Sequence, residues 1–263
     1  MNRLPSSHSW NTKTEIQSSD GRQPIFKSFL SDSSVAAPRA FFLPARYEKN
    51  YAYPLLVWLH QDGADEQQIS QVMPHVSVQN YVGVGIRGTR ACDAAGHRYD
   101  WMQTPAGIAQ AEQAIMDAVD NASQRYSINP ERVFIAGYKA GGTMAQRIAL
   151  RHPGHFAGVV SLGGGFPRGC RPLANLHQVR QLEMLLAFAT DTKCFSIDAL
   201  VDDLRLMNAA RMRVEVQQFD ATDEMMVPVL RHVDQWMMSL VTGQQLPQCV
   251  PDWDTLPVEF SDN

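Results

Sequence analysis

Residues 133–142 read VFIAGYKAGG. Four apolar residues, Val133 to Ala136, run into Gly137. Then come Tyr138, Lys139, Ala140, Gly141 and Gly142, and a helical pattern begins at once. That order predicts a buried strand, a very tight turn and a helix N-terminus, with glycines where backbones approach closely. The centre of the turn is Lys139, a cation placed where a helix dipole favours anions.

The alternation extends in both directions. Apolar runs rich in aromatic and β-branched residues predict strands at 38–44, 53–60, 80–88, 131–138, 155–165, 182–190 and 213–220. Thr104-Pro105 opens a helix whose apolar residues, Ile108, Ala111, Ile115, Val119, Ala122 and Tyr126, recur at steps of three and four. The helix after the turn runs to about His152, with Met144, Ile148 and Ala149 inward. A further helix covers 194–210. A closing one covers 227–241, with Val227, Leu230, Val233, Met237 and Leu240 on its inner side. Met225, Met226, Met237 and Met238 read as core. Strands separated by helices imply an α/β fold, a mostly parallel twisted sheet with helices on both faces. Three segments are expected: a polar, Ser-rich arm at 1–23, one domain at 24–242, and a Pro-rich acidic tail at 243–263.

Composition narrows the partners. A chain of 263 residues with 44% hydrophobic and 19% charged residues and a net charge of -4 gives no reason to expect nucleic acid or an anionic membrane. No run reaches the roughly 20 apolar residues that span a bilayer, and no secretory signal opens the chain, so a cytoplasmic protein is expected. Cys92, Cys170, Cys194 and Cys249 lie far apart and read as free thiols. No metal set and no cofactor motif is expected. GYKAGG lacks the length and lysine placement of a phosphate-binding loop. The sequence says nothing of oligomeric state.

Two stretches resemble the α/β-hydrolase superfamily in its carboxylesterase/phospholipase, acyl-thioesterase-like branch. YPLLVWLHQDGADE resembles the branch's strand ending in L-H-G-x-G. RVFIAGYKAGGTMAQRIALRHPGHFAGVVSLGGGFP resembles its nucleophile turn, helix and next strand almost position for position. The likeness spans about residues 38–242. It implies a Ser-His-Asp hydrolase whose serine stands on the strained turn. The corresponding positions here hold Lys139 for the serine, Asp191 for the acid, and Asp223 for the histidine. No histidine lies between Arg213 and Met226. In the oxyanion segment His60 and Gly63 match, while Gln61 replaces the first glycine. The resemblance makes His60, Gln61, Asp62, Gly63, Tyr138 and Ala140 the candidate binding residues. It leaves no intact catalytic set.

An amine attacks only when unprotonated, and the neighbours expected at Lys139 are carboxylates, which favour the ammonium. The expectation is therefore an ion pair of Lys139 with Asp191, Asp223 or both, in a catalytically inactive binding or regulatory protein. A small carboxylate or phosphate is the ligand class that an ammonium would admit. Two alternatives stay open: chemistry by a non-serine route on small esters or carbonyl compounds, and a structural or interaction role. Arg87, Arg90, His97, Arg98, Tyr99, Asp100 and Trp101 form either a packed surface loop or the lining of a residual pocket. Asp62, Asp65 and Glu66 read as a polar loop opening a helix. His232 reads as a surface or packing residue of the closing helix.

Overall fold

The computed structural model describes residues 37–190 and 197–244. Nine strands are present among them: β1 (Arg39–Phe42), β2 (Tyr53–Leu59), β3 (Val82–Ile86), β4 (Arg90–Ala91), β5 (Tyr99–Asp100), β6 (Ile128–Tyr138), β7 (Gly158–Leu162), β8 (Glu183–Ala189) and β9 (Arg213–Phe219). The helices are α1 (Gln68–Val76), α2 (Pro105–Arg125), α3 (Ala140–Arg151), α4 (Leu176–Val179), α5 (Ile197–Ala209) and α6 (Val227–Thr242). Seven strands form one sheet in the order β1-β3-β2-β6-β7-β8-β9, and β4 pairs with β5 separately. β1 is antiparallel to β3 and the other pairings of the large sheet are parallel. This is an α/β-hydrolase fold, with the alternation of strand and helix that the sequence predicts.

The pleat divides the core. On β2, Leu55, Val57 and Leu59 face the side covered by α2 and α3; Leu56 and Trp58 face the side covered by α1 and α6. Continuous burial on both faces explains why β2 and β3 read as unbroken apolar runs. Thr104 caps α2 by accepting the Gly107 N–H at 3.2 Å, ahead of Pro105 at the helix start. Ile108, Ala111, Ile115 and Ala122 are buried as expected, while Val119 and Tyr126 sit at the edge of the same face.

Some expectations need correction. Val227 and Met226 point outward, 37% and 42% exposed, so the inner face of α6 begins at Val229 and Leu230. β6 starts at Ile128, three residues earlier than the sequence predicts. A register shift opposite Tyr53 and Leu55 accommodates Asn129 and Pro130. The arm at 1–23, most of the tail at 243–263, Asp191 and two cysteines, Cys194 and Cys249, lie outside the described residues. Cys92 and Cys170 are exposed free thiols.

The chain runs from β2 to β3 on one side and returns through α2 to β6 on the other. The strand order therefore reverses between β2 and β6. Crevices at such reversals, outside the carboxyl ends of the strands, are where open α/β sheets bind ligands. Lys139 follows β6, and His60 to Gly63 follow β2.

Candidate functional site at the turn after β6

The turn between β6 and α3 is a single residue, Lys139, at φ 51° and ψ -117°. A side chain at positive φ costs about 1–3 kcal/mol, which the surroundings must offset. Two glycines show how tightly those surroundings are set. A Cβ on Gly141 would sit 2.2 Å from the Leu59 carbonyl oxygen, so the start of α3 rests directly on the end of β2. A Cβ on Gly142 would lie 2.6 Å from Ser161 Oγ at β7. The Lys139 N–H donates to Leu162 O at 2.8 Å, which fixes the turn to the end of β7.

The expected ion pair is present. Lys139 Nζ lies 3.3 Å from Asp223 Oδ2, with the side chains 32% and 43% exposed. The ammonium also sits 4.6 Å from the centroid of the Tyr138 ring, a cation–π contact. Asp223 is held from two further sides. Tyr138 Oη, on a buried ring, donates to the carboxylate at 2.6 and 2.7 Å from its oxygens. The Met225 N–H donates to Oδ1 at 2.8 Å. Desolvation, the largest influence, pushes the Asp223 carboxyl up. The hydrogen bonds from Tyr138 and Met225 and the Lys139 charge outweigh it, and the carboxyl lies below the usual range. Asp191 falls outside the described residues, so Asp223 is the acid paired with Lys139 among those described.

The segment after β2 is stitched into its own frame. His60 is fully buried: its Nε2 accepts the Gly88 N–H at 2.9 Å and its Nδ1 faces Gln61 O at 2.6 Å. The first contact requires a lone pair on Nε2, so the proton is on Nδ1 and is donated to Gln61 O. Burial keeps the imidazole below its ordinary range, neutral. His60 is therefore a clamp for its loop, and its ring offers nothing to a ligand. Its carbonyl accepts Trp101 Nε1 at 2.7 Å. Gly63, at φ 76°, donates its N–H to Tyr99 O at 3.0 Å. Asp62 stands exposed beside it; desolvation and then the Asp100 charge raise its carboxyl.

The arginine-rich stretch resolves toward packing. Arg87 makes a two-pronged ion pair with the buried Glu66, through Nε at 2.7 Å and through Nη2. Its guanidinium lies 4.6 Å from the Tyr99 ring centroid. Arg90 pairs with Asp100 at 3.0 Å across the β4–β5 hairpin. Trp101 is buried. His232, on α6, is paired with Glu215 of β9 at 3.3 Å and packs against Phe219, and His152, at the C-terminal end of α3, with Glu112 of α2 at 2.8 Å.

One residue escapes any reading of the sequence. Glu224 is fully buried, and its carboxyl occupies the space above Gly163, where a Cβ would fall 2.6 Å from Cδ. Its Oε1 accepts the Ala189 N–H at 3.2 Å, and its Oε2 meets no donor among the described residues. Glu224 ties the loop carrying Asp223 to the ends of β7 and β8. In FDATDEMM nothing distinguishes it from its acidic neighbours.

Comparison with known proteins adds lineage to this geometry. Residues 55–219 match the family described as Phospholipase/Carboxylesterase. Among curated proteins, a putative esterase, NocK, from Nocardia uniformis subsp. tsuyamanensis is 26% identical over 118 residues, 43% of this chain and 33% of that protein. The match thus spans about a third of that relative's length. Among solved structures, a carboxylesterase from Mesorhizobium loti superposes with a TM-score of 0.64 at 16% identity, covering 78% of this chain and 96% of that one. A Bacillus cereus carboxylesterase gives 0.62 at 15% identity, covering 79% and 96%. At those identities the structural likeness speaks for the fold.

Proposed function

Because this chain belongs to the phospholipase/carboxylesterase family, we propose that it is a catalytically inactive relative acting by binding or regulation. In this reading Lys139 stands at the nucleophile's position and Asp223 at the histidine's. The observation that carries it is the 3.3 Å contact between those two side chains on the strained turn. A serine hydrolase needs a nucleophile and a base at that spot; here a cation and an anion neutralise each other. Losing either the serine or the base from a working triad costs on the order of 10⁶ in turnover.

Two further features support the reading. Gly63, in the oxyanion segment, spends its N–H on Tyr99 O. The residue beside it, Asp62, is a carboxylate, and its side chain adds no hydrogen-bond donor to that segment. A lysine nucleophile would need a neutral amine, promoted by desolvation or a neighbouring cation, and Lys139 has a carboxylate in contact instead. What the arrangement retains is an ammonium one-third exposed at the carboxyl ends of the strands. That group suits a small carboxylate or phosphate able to compete with Asp223.

The test is direct. A fluorophosphonate probe should leave the protein unlabelled, and an activated ester should turn over at the uncatalysed rate. Small carboxylic acids or phosphate should raise the melting temperature, and Lys139→Ala should abolish the gain. Labelling at any serine would overturn the assignment. Borohydride trapping of a carbonyl compound on Lys139 would replace it with a Schiff-base enzyme.

A further inference from the structure

Arg147, on α3, is 4% exposed and carries a charge that no acid answers among the described residues. Its Nη2 donates to Arg168 O at 3.0 Å and to Gln103 Oε1 at 3.2 Å, and its Nη1 donates to Gly169 O at 3.4 Å. All three acceptors are neutral, and the buried Nε has no acceptor among the described residues. Arginine keeps its proton in proteins, and a buried cation without a counter-ion is costly. Burial pushes the guanidinium below its ordinary value; the group that favours its charge is the Cys170 thiol, and Arg151 opposes it. Asp203, the buried acid that reaches the same loop, is already committed. It accepts the Phe166 N–H at 2.9 Å and pairs with Arg168.

We propose that Cys170 is an oxidation site, at which a peroxide converts the thiol to a sulfenate that Arg147 holds as its missing counter-ion. The two carbonyls that Arg147 grips, those of Arg168 and Gly169, directly precede the cysteine, so the guanidinium sits at the base of the turn that presents the thiol. Cys170 and Arg171 stand at φ 53° and 50°. Side chains keep such a backbone only where the surroundings fix it, and the Arg147 hydrogen bonds do so from below. The sulfur itself is exposed. Cys92 provides the contrast within the same molecule. It is exposed too, but desolvation and then the hydrogen bond and charge of Asp100 push its thiol up, and Asp93 adds to this. The thiolate is the attacking species, and it gains from a cation and loses from carboxylates. In the step, the thiolate sulfur bonds to one peroxide oxygen as the O–O bond breaks. Sulfur gives up two electrons, and the departing hydroxide takes the sulfenic proton and leaves as water. The proposal is independent of whether Lys139 is inert.

Hydrogen peroxide with a dimedone trap, read cysteine by cysteine by peptide mass spectrometry on the full chain, tests it. Cys170 should be trapped roughly tenfold faster in the folded protein than in the same protein unfolded in urea, and Cys92 more slowly folded than unfolded. Arg147→Gln keeps a donor for the carbonyls and removes the charge. It should bring Cys170 down to its unfolded rate and leave Cys92 unchanged, while Arg147→Lys should keep most of the acceleration. A Cys170 no faster folded than unfolded would overturn the proposal, and that comparison needs no variant to fold. So would a Cys170 rate untouched by Arg147→Gln, or an equal loss in Arg147→Gln and Arg147→Lys, the sign that Arg147 only clamps the turn.

Discussion

The turn after β6 and the loop after β9 meet at one ion pair, yet they are built on opposite principles. The turn is set by backbone against backbone: Gly141 on Leu59 O, Lys139 N–H on Leu162 O. The loop is set by side chains, with Glu224 reaching the Ala189 N–H and Asp223 gathering Tyr138, Met225 and Lys139. A glycine pressed against backbone leaves one residue type acceptable and a backbone N–H any but proline, whereas a side-chain contact can be exchanged for another of suitable charge. That difference leaves the form of the turn fixed by its glycines while the side chains at its centre are free to vary.

The sharpest way to break the comparison is Gly141→Ala. Its methyl would enter space 2.2 Å from a backbone oxygen that cannot swing aside. Overpacking of this kind typically costs 1–3 kcal/mol and occasionally more, and about 3 kcal/mol is expected here. At roughly 2–4 °C per kcal/mol for a domain of this size, the melting temperature should fall by about 6–12 °C. A fall under 2 °C would mean that the turn is looser than its contacts imply. Next comes Arg87→Met, which strands the buried Glu66. Removing one partner of a fully buried pair costs about 3–5 kcal/mol. Because Arg87 is 29% exposed, about 2 kcal/mol is expected, read in urea unfolding, with Glu66→Gln in the same background recovering part of it.

Lys139 separates strain from charge. Lys139→Ala keeps the positive φ and loses the pair; Lys139→Gly loses the pair and relieves the φ. Glycine should therefore be the more stable of the two by about 1 kcal/mol, the strain of ~1–2 kcal/mol less the extra freedom glycine gives the unfolded chain. Alanine more stable than glycine, by about 0.4–1 kcal/mol, would show that the turn is unstrained.

The same division governs what could be read in advance. β2, β3, β6 and β8 were legible because strands buried on both faces read as apolar runs, and α2 because its stripe has one period. The glycines of the turn were legible because no other residue fits such contacts. β4 and β5 were not, since a two-residue strand carries no period. The antiparallel direction of β1 leaves no trace in RAFF. Lys139, Asp191 and Asp223 were named through a resemblance to working hydrolases, and the structure brings Lys139 and Asp223 together. That Tyr138 donates to Asp223, and that Glu224 is the buried neighbour, depends on the path of a loop containing several acids. His60 matched a motif yet serves the loop's own hydrogen bonds, because a motif position does not say which way a ring faces.

The smallest expected effect is the pH dependence of the Asp223 contacts. The folded carboxyl lies below its unfolded value, ordinarily about 3.9. The unfolded chain therefore takes up a proton first as pH falls, and stability drops with it. The contribution is fully present above the unfolded value and is lost as pH falls through the folded one. Near-half exposure of Asp223 and the screening that goes with it limit the amount to under about 1 kcal/mol. Wild-type and Asp223→Asn proteins should thus differ by that amount at pH 6 and converge once the pH has fallen through the folded carboxyl's lowered value, and 0.5 M salt should shrink the gap at pH 6. A gap that persists unchanged into acid would mean that Asp223 holds its loop by packing and neutral hydrogen bonds. The Lys139 pair would then be a consequence of the loop's position and not one of its causes.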